Sequence, residues 1–301
     1  MLPEGFVFSQ SSLQDYVDCA RRFQLRYLEH CRWPAPETAD ALEFERMMQQ
    51  GHAFHRLLRQ AYSGLPLPAL DTVAAADPDL SRWWANYRTA QPQDLPDEVR
   101  EAEVTLSVAL SAYPVGAPVK RERTAGRCCR LEARYDLLAG QPGERWLIVD
   151  WKTGQRRNSR AWLQGRLQTR MYPFVLVQGG TTFNGGVPIA PQQVEMLYWF
   201  AEFPAQPECF AYSAEQFAAD EAFLVGLLRE IDAQLSSRAA AVQHLYEFPK
   251  TGNRQLCRFC VYRSLCWEDV QAGLLAEAGD VERTEAALED LDLESIAPIP
   301  F

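Results

Sequence analysis

No apolar run in this 301-residue chain reaches the length that spans a bilayer, which excludes a membrane-crossing helix. The opening stretch, MLPEGFVFSQSSLQ, lacks a basic segment followed by an apolar core. A secretory signal is therefore not expected, and a cytoplasmic location is the default. No internal repeat is evident. No G-x-x-x-x-G-K-[ST] phosphate loop occurs, so a nucleotide-driven motor is not expected. Positive charge is also short: 30 Lys and Arg stand against 40 Asp and Glu, a net charge of −10. Averaged over the chain, that balance argues against a polyanionic partner.

The distribution of charge reverses that impression. Residues 268–294 hold 10 acidic residues and one Arg, so the rest of the chain is almost neutral. Lys152, Arg156, Arg157, Arg160, Arg166 and Arg170 occur within 152–170 with no acid among them, and residues 120–134 carry six basic and two acidic side chains. Solvated arginine faces would explain these stretches; so would a phosphate backbone. At 47% hydrophobic the chain can bury a substantial core. The expected organisation is one domain over 1–267, with a helical insertion at about 60–97, and an acidic tail over 268–301. The tail is read as solvated, with a short amphipathic helix at 281–293.

The chain is organised around Arg130 to Gly154, RLEARYDLLAGQPGERWLIVDWKTG. Two β-like runs flank a Gly/Pro turn, a hairpin signature. Strand alternation puts Trp146, Ile148, Asp150 and Lys152 on one face, and Glu132, Arg134 and Asp136 on one face of the other strand. If those faces coincide, Asp136, Asp150 and Lys152 converge. Two carboxylates and an ammonium are costly to bury without a partner. A hard divalent cation such as Mg²⁺ would resolve that cost; a surface hairpin with a salt bridge is the plainer alternative.

Around the hairpin, residues 9–30 read as a helix with Ser11 or Ser12 as N-cap and Cys19 inside it. Residues 40–62 read as a second helix carrying His52 and His55. Residues 63–97 read as a loop and a short helix whose Trp83, Trp84 and Tyr87 pack or stack on bases. Residues 98–111 alternate like a strand and include Glu103. Residues 159–178 read as a helix up to Pro173, with Gln168 and Tyr172 on one face. A strand is expected at 194–200 and a long helix at 213–242. Of 8 Cys, three form C-x2-C-x5-C at Cys257, Cys260 and Cys266. Clustered Cys in a cytosolic chain point to metal before disulfides. Cys19 supplies a fourth thiolate if the chain ends meet, and four thiolates suit zinc or an iron–sulfur cluster. Cys128 and Cys129 read as ordinary strand residues.

In order, these motifs are Cys19, Gly51-x-x-x-His55, Asp136, Asp150-x-Lys152-Thr-Gly, Gln168-x-x-x-Tyr172 and the C-terminal Cys triplet. Together they resemble the RecB-like iron–sulfur branch of the PD-(D/E)XK nuclease superfamily. That branch includes nuclease domains of bacterial recombination helicase–nucleases and CRISPR-associated spacer-trimming exonucleases. Ala20 and Ala133 stand where the family often has Pro and Gly. The resemblance implies a restriction-endonuclease-like α/β fold, a mixed sheet flanked by helices, and metal-dependent hydrolysis of DNA. It implies Mg²⁺ or Mn²⁺ on His55 (His52 as rival), Asp136, Asp150 and the backbone carbonyl of Trp151. Lys152 would assist water and transition state. Gln168, Tyr172 and Arg170 would contact DNA, and Glu103 would stand at or behind the metal. A [4Fe–4S] cluster on Cys19, Cys257, Cys260 and Cys266 would staple the chain ends, with zinc the other reading. The implied substrate is single-stranded or frayed DNA. The implied setting is repair, recombination or CRISPR adaptation, with a helicase or adaptation proteins as partners. The alternative is a silent DNA-binding or assembly subunit that keeps the fold.

Overall fold

The sheet is assembled on β3 (Cys128–Gln141), which meets a different neighbour at each end of one edge. The structure is a computed structural model that describes residues 2, 5–31, 39–111, 128–154, 158–240, 246–267 and 269. The antiparallel β2 (Val99–Ser111) covers one edge of β3 along its length. On the other edge, β1 (Val7–Ser9) pairs in parallel with residues 130–132. Further along that edge, β4 (Arg145–Lys152) pairs antiparallel with residues 137–141. Between those two partners β3 is unzipped, and Asp136 lies at the point where β4 leaves. Beyond β4 the sheet continues with the parallel β5 (Val194–Phe200) and the antiparallel β6 (Glu208–Ala211).

Both faces are covered, so β5 and the middle of β4 read as near-continuous apolar runs. On the first face Trp146, Ile148, Met196 and Tyr198 pack against α1 (Gln10–Asp18), α7 (Leu167–Gly179), which follows the short α6 (Arg160–Gln164), and α8 (Ala214–Ala240). On the second, Leu147, Val149, Trp151 and Trp199 pack against α3 (Ala39–Tyr62), α4 (Leu67–Ala74) and α5 (Pro78–Ala90). Residues 63–97 thus hold two helices rather than one. Trp83, Trp84 and Tyr87 are at most 5% exposed, so they pack and do not stack on bases. Among the described residues no helix is long and apolar enough to cross a membrane.

Two other expectations change. The first helix is capped by Ser9, whose Oγ accepts the Ser12 amide, and it stops at Cys19. Cys19 has extended backbone (φ −163°, ψ 107°), after which α2 (Ala20–Phe23) and a π-helical turn, Gln24–Leu28, follow. The break turns Cys19 out of the helical run. The second change is at Pro173, which lies inside α7 rather than at its end. A Pro there costs roughly 3 kcal/mol in an exposed helix. Here Leu167, Met171, Phe174, Val175 and Leu176 are all buried, and their packing outweighs the lost backbone bond. The tail 270–301 and Arg156 and Arg157 lie outside the described residues.

Residues 21–31 meet residues 246–262. Gln24 donates from Nε2 to the Tyr246 carbonyl and accepts the Phe248 amide at 2.6 Å. Arg21 N–H donates to the Pro249 carbonyl, and the Tyr262 hydroxyl to that of Cys31. Two single-turn helices follow, α9 (Arg254–Cys257) and α10 (Arg263–Cys266).

Candidate active site

The site forms where β3 and β4 part. Apolar β4 residues alternate as expected: 146 and 148 face the first layer, 147, 149 and 151 the second. This places Asp150 and Lys152 against α7. On β3 the alternation slips. Ala133 and Tyr135 belong to the first layer, Leu137 to the second and Leu138 to the first. β2 slips opposite: Val104 packs on the first layer and Ala102 beside the second. The slip centres on Glu103, whose φ of 56° is rare for a residue with a Cβ. Asp136 therefore reaches the site at a break in the pleat, rather than by strict alternation with Glu132 and Arg134.

Asp136 is held from two sides. Its Oδ2 accepts the Trp151 amide at 2.8 Å, which pins it across the gap, and its Oδ1 lies 3.2 Å from His55 Nδ1. Burial pushes its carboxyl up, but His55, the Trp151 amide and the Lys152 charge together hold it below the ordinary aspartate range. Gly51, one helical turn before His55, sits against the end of β4. A methyl group there would come within 3.1 Å of Thr153 Oγ1, so Gly51 lets α3 approach closely.

Asp150 and Lys152 are 4% and 3% exposed. Lys152 Nζ lies 3.0 Å from Asp150 Oδ2. Gln168 joins them: its Nε2 donates to Asp150 Oδ1 at 2.5 Å and its Oε1 accepts Lys152 Nζ at 3.1 Å. A side-chain amide can donate to a carboxylate and accept from an ammonium at once. The sequence placed Gln168 near the site but gave no sign of this bridging. Tyr172, 8% exposed, stacks edge-on to Tyr135, whose hydroxyl donates to the Tyr172 carbonyl. Arg170 turns away toward α8. Its Nε lies 2.6 Å from Asp220 Oδ1 and its guanidinium covers Phe223. Arg160 likewise pairs with Glu208 and covers Phe210, so much of the basic run at 152–170 is tied into the protein.

His55, Glu103 and Asp136 each offer a ligand atom, all within 4.8 Å of one another. One imidazole and two carboxylates suit a hard divalent ion. His52 and Asp150 are not in that group. Burial, His55 and nearby arginines push the His52 imidazole below the ordinary histidine range. A second, separate cavity is lined by Cys19, Cys257, Cys260 and Cys266, with Arg22, Lys250 and Trp267 around them. Among the described residues, no three of the four sulfurs lie within 4.8 Å of one another. Burial and the neighbouring sulfurs push the Cys260 thiol up to about 11, although Arg22 and the Tyr262 backbone draw it down.

The split sheet thus gathers two carboxylates and a lysine, with an imidazole and a third carboxylate alongside, a donor set that suits a divalent metal ion. The model of the PD-(D/E)XK nuclease superfamily matches residues 7–267, and the chain belongs to that family. No curated protein matches the chain. Among solved structures, the crystal structure of SSO0001 is similar over 90% of each chain, at 12% identity and a TM-score of 0.39.

Proposed function

We propose that the chain is a deoxyribonuclease of the RecB-like iron–sulfur branch, acting as an exonuclease on single-stranded or frayed DNA. The observation that carries the reading is the Asp150–Lys152–Gln168 network, buried beside Asp136 where the sheet opens. Three buried polar groups with an outlet to one gap are costly for structure alone. His55, Asp136 and Asp150, with Glu103 and the Trp151 carbonyl, would hold Mg²⁺ or Mn²⁺. Bound there, the ion supplies charge stabilisation at the phosphate and a more acidic attacking water. Lys152, fixed by Asp150 and Gln168, offers its charge to the phosphate oxygens as negative charge builds. Gln168 and Tyr172 fix α7 over the gap and set where the strand lies. Arg170, committed to Asp220, is given no part in binding.

The four cysteines are proposed to hold a [4Fe–4S] cluster. Structural zinc usually takes two close ligand pairs, and here only Cys257 and Cys260 have that spacing. The setting is DNA repair, recombination or CRISPR adaptation in the cytoplasm. A helicase or adaptation protein would supply unwinding, since the chain carries no phosphate loop. The test is digestion of a linear and a circular single strand with Mn²⁺. The proposal expects stepwise loss of nucleotides from the linear strand and an intact circle; a nicked circle would refute the exonuclease assignment.

A further inference from the structure

Glu103 occupies the middle of β2 with a φ of 56°, and that bend is what carries its carboxylate to His55 and Asp136. The same carboxylate is claimed by a second cation. Arg134 donates from both Nε and Nη2 to Glu103 Oε2, at 2.8 and 2.5 Å. Arg134 stands two residues before Asp136 on the adjacent strand. Its side chain is 62% exposed, whereas that of Glu103 is 14% exposed. An ion pair with one member in water is weak. A divalent ion sharing Glu103 with His55 and Asp136 would compete for that carboxylate and repel the guanidinium at short range.

We propose that Arg134 grips the phosphodiester backbone, and that Glu103 holds it in reserve until a divalent ion fills the His55–Glu103–Asp136 site. The inference rests on the nuclease reading of that site. Once released, the guanidinium lies at the site's open side, where its planar fork suits two phosphate oxygens. Metal and DNA would then bind cooperatively, because the ion frees a DNA ligand and DNA takes up the ion's competitor.

The test uses the full chain with Arg134→Gln, an exposed position where folding is not at stake. Mn²⁺ binding is measured by electron paramagnetic resonance without DNA. Single-strand binding is measured by fluorescence anisotropy in Ca²⁺ and in EDTA. Arg134→Gln should bind Mn²⁺ about threefold or more tightly than the native chain. It should also lose most of the Ca²⁺-dependent gain in DNA affinity, which in the native chain should be about tenfold. Unchanged Mn²⁺ affinity, or a full Ca²⁺-dependent gain in the variant, would overturn the proposal. Asp136→Asn that binds Mn²⁺ as well as the native chain would instead overturn the metal-site reading beneath it.

Discussion

Gln168 shows how one neutral side chain holds a charged pair in place. Asp150 and Lys152 are both buried, and each has a bond to this amide. Replacing Gln168 by Leu would keep the ion pair but strip both charges of that partner. The expected loss is about 2–4 kcal/mol of stability in urea unfolding, with cleavage reduced as Lys152 loses its fixed position. A loss below about 1 kcal/mol would mean that the network contributes little. Asp150 and Lys152 were legible as a pair on one strand face, whereas Asp136 reaches the site at a break in the pleat that strict alternation does not show. Gln168's role was not legible, since no spacing shows that an amide spans two charges from another element. Glu103 was legible as an acid ahead of the hairpin, but nothing in its neighbours signals a left-handed backbone.

Elements were legible where local pattern and burial agree, as in α3, β2, the hairpin, β5 and α8. They were missed where tertiary packing overrides propensity: at Pro173, which a fully buried helix absorbs, and at Cys19, where a helical pattern is cut by extended backbone. The Pro- and Asp-rich residues 63–97, expected as a helical insertion packed on the core, supply α4 and α5 to the second layer. That layer has a specific anchor. Asp77 caps α5 by accepting the Asp79 and Leu80 amides, and also takes Gln50 Nε2 from α3 at 2.9 Å. Burial pushes its carboxyl up, but these donors and Arg46 together hold it below the ordinary aspartate range. Its contribution is therefore full above the unfolded aspartate pKa of about 3.9 and is lost as the pH falls through the lower folded value. Asp77→Ala should cost about 1 kcal/mol at neutral pH, seen as a lowered melting temperature. The gap from the native chain should narrow steadily as the pH falls below the unfolded aspartate value; a gap that stays constant through the acid range would contradict the cap.

Across the whole molecule, the N-terminal segment and residues 246–267 are joined by Gln24 and Arg21 before any metal is considered. A cluster on Cys19, Cys257, Cys260 and Cys266 would close a loop of well over half the chain, limiting the freedom of the unfolded state. Anaerobically purified protein should absorb at about 400 nm and be brown. Cys266→Ser should lose that absorbance and speed proteolysis within 246–267, leaving the sheet's circular dichroism unchanged. A colourless native protein carrying stoichiometric zinc would replace the cluster with a zinc site. The net charge of −10 is compatible with a DNA substrate because nearly all the excess of acid over base falls in 268–294, away in sequence from the hairpin.

The central claim is that Asp136, Asp150 and Lys152 form a hydrolytic site in which metal and lysine act on a phosphodiester. It is tested most directly by cleavage of an end-labelled single strand in Mn²⁺ and in EDTA, with Asp150→Ala and Lys152→Ala alongside. Cleavage is expected in Mn²⁺ only, lost by at least about a hundredfold in both variants, with Lys152→Ala still binding the strand. Full cleavage by Lys152→Ala would contradict the claim. So would no cleavage at all by a folded native chain, which would mark the protein as a binding subunit that keeps the nuclease fold.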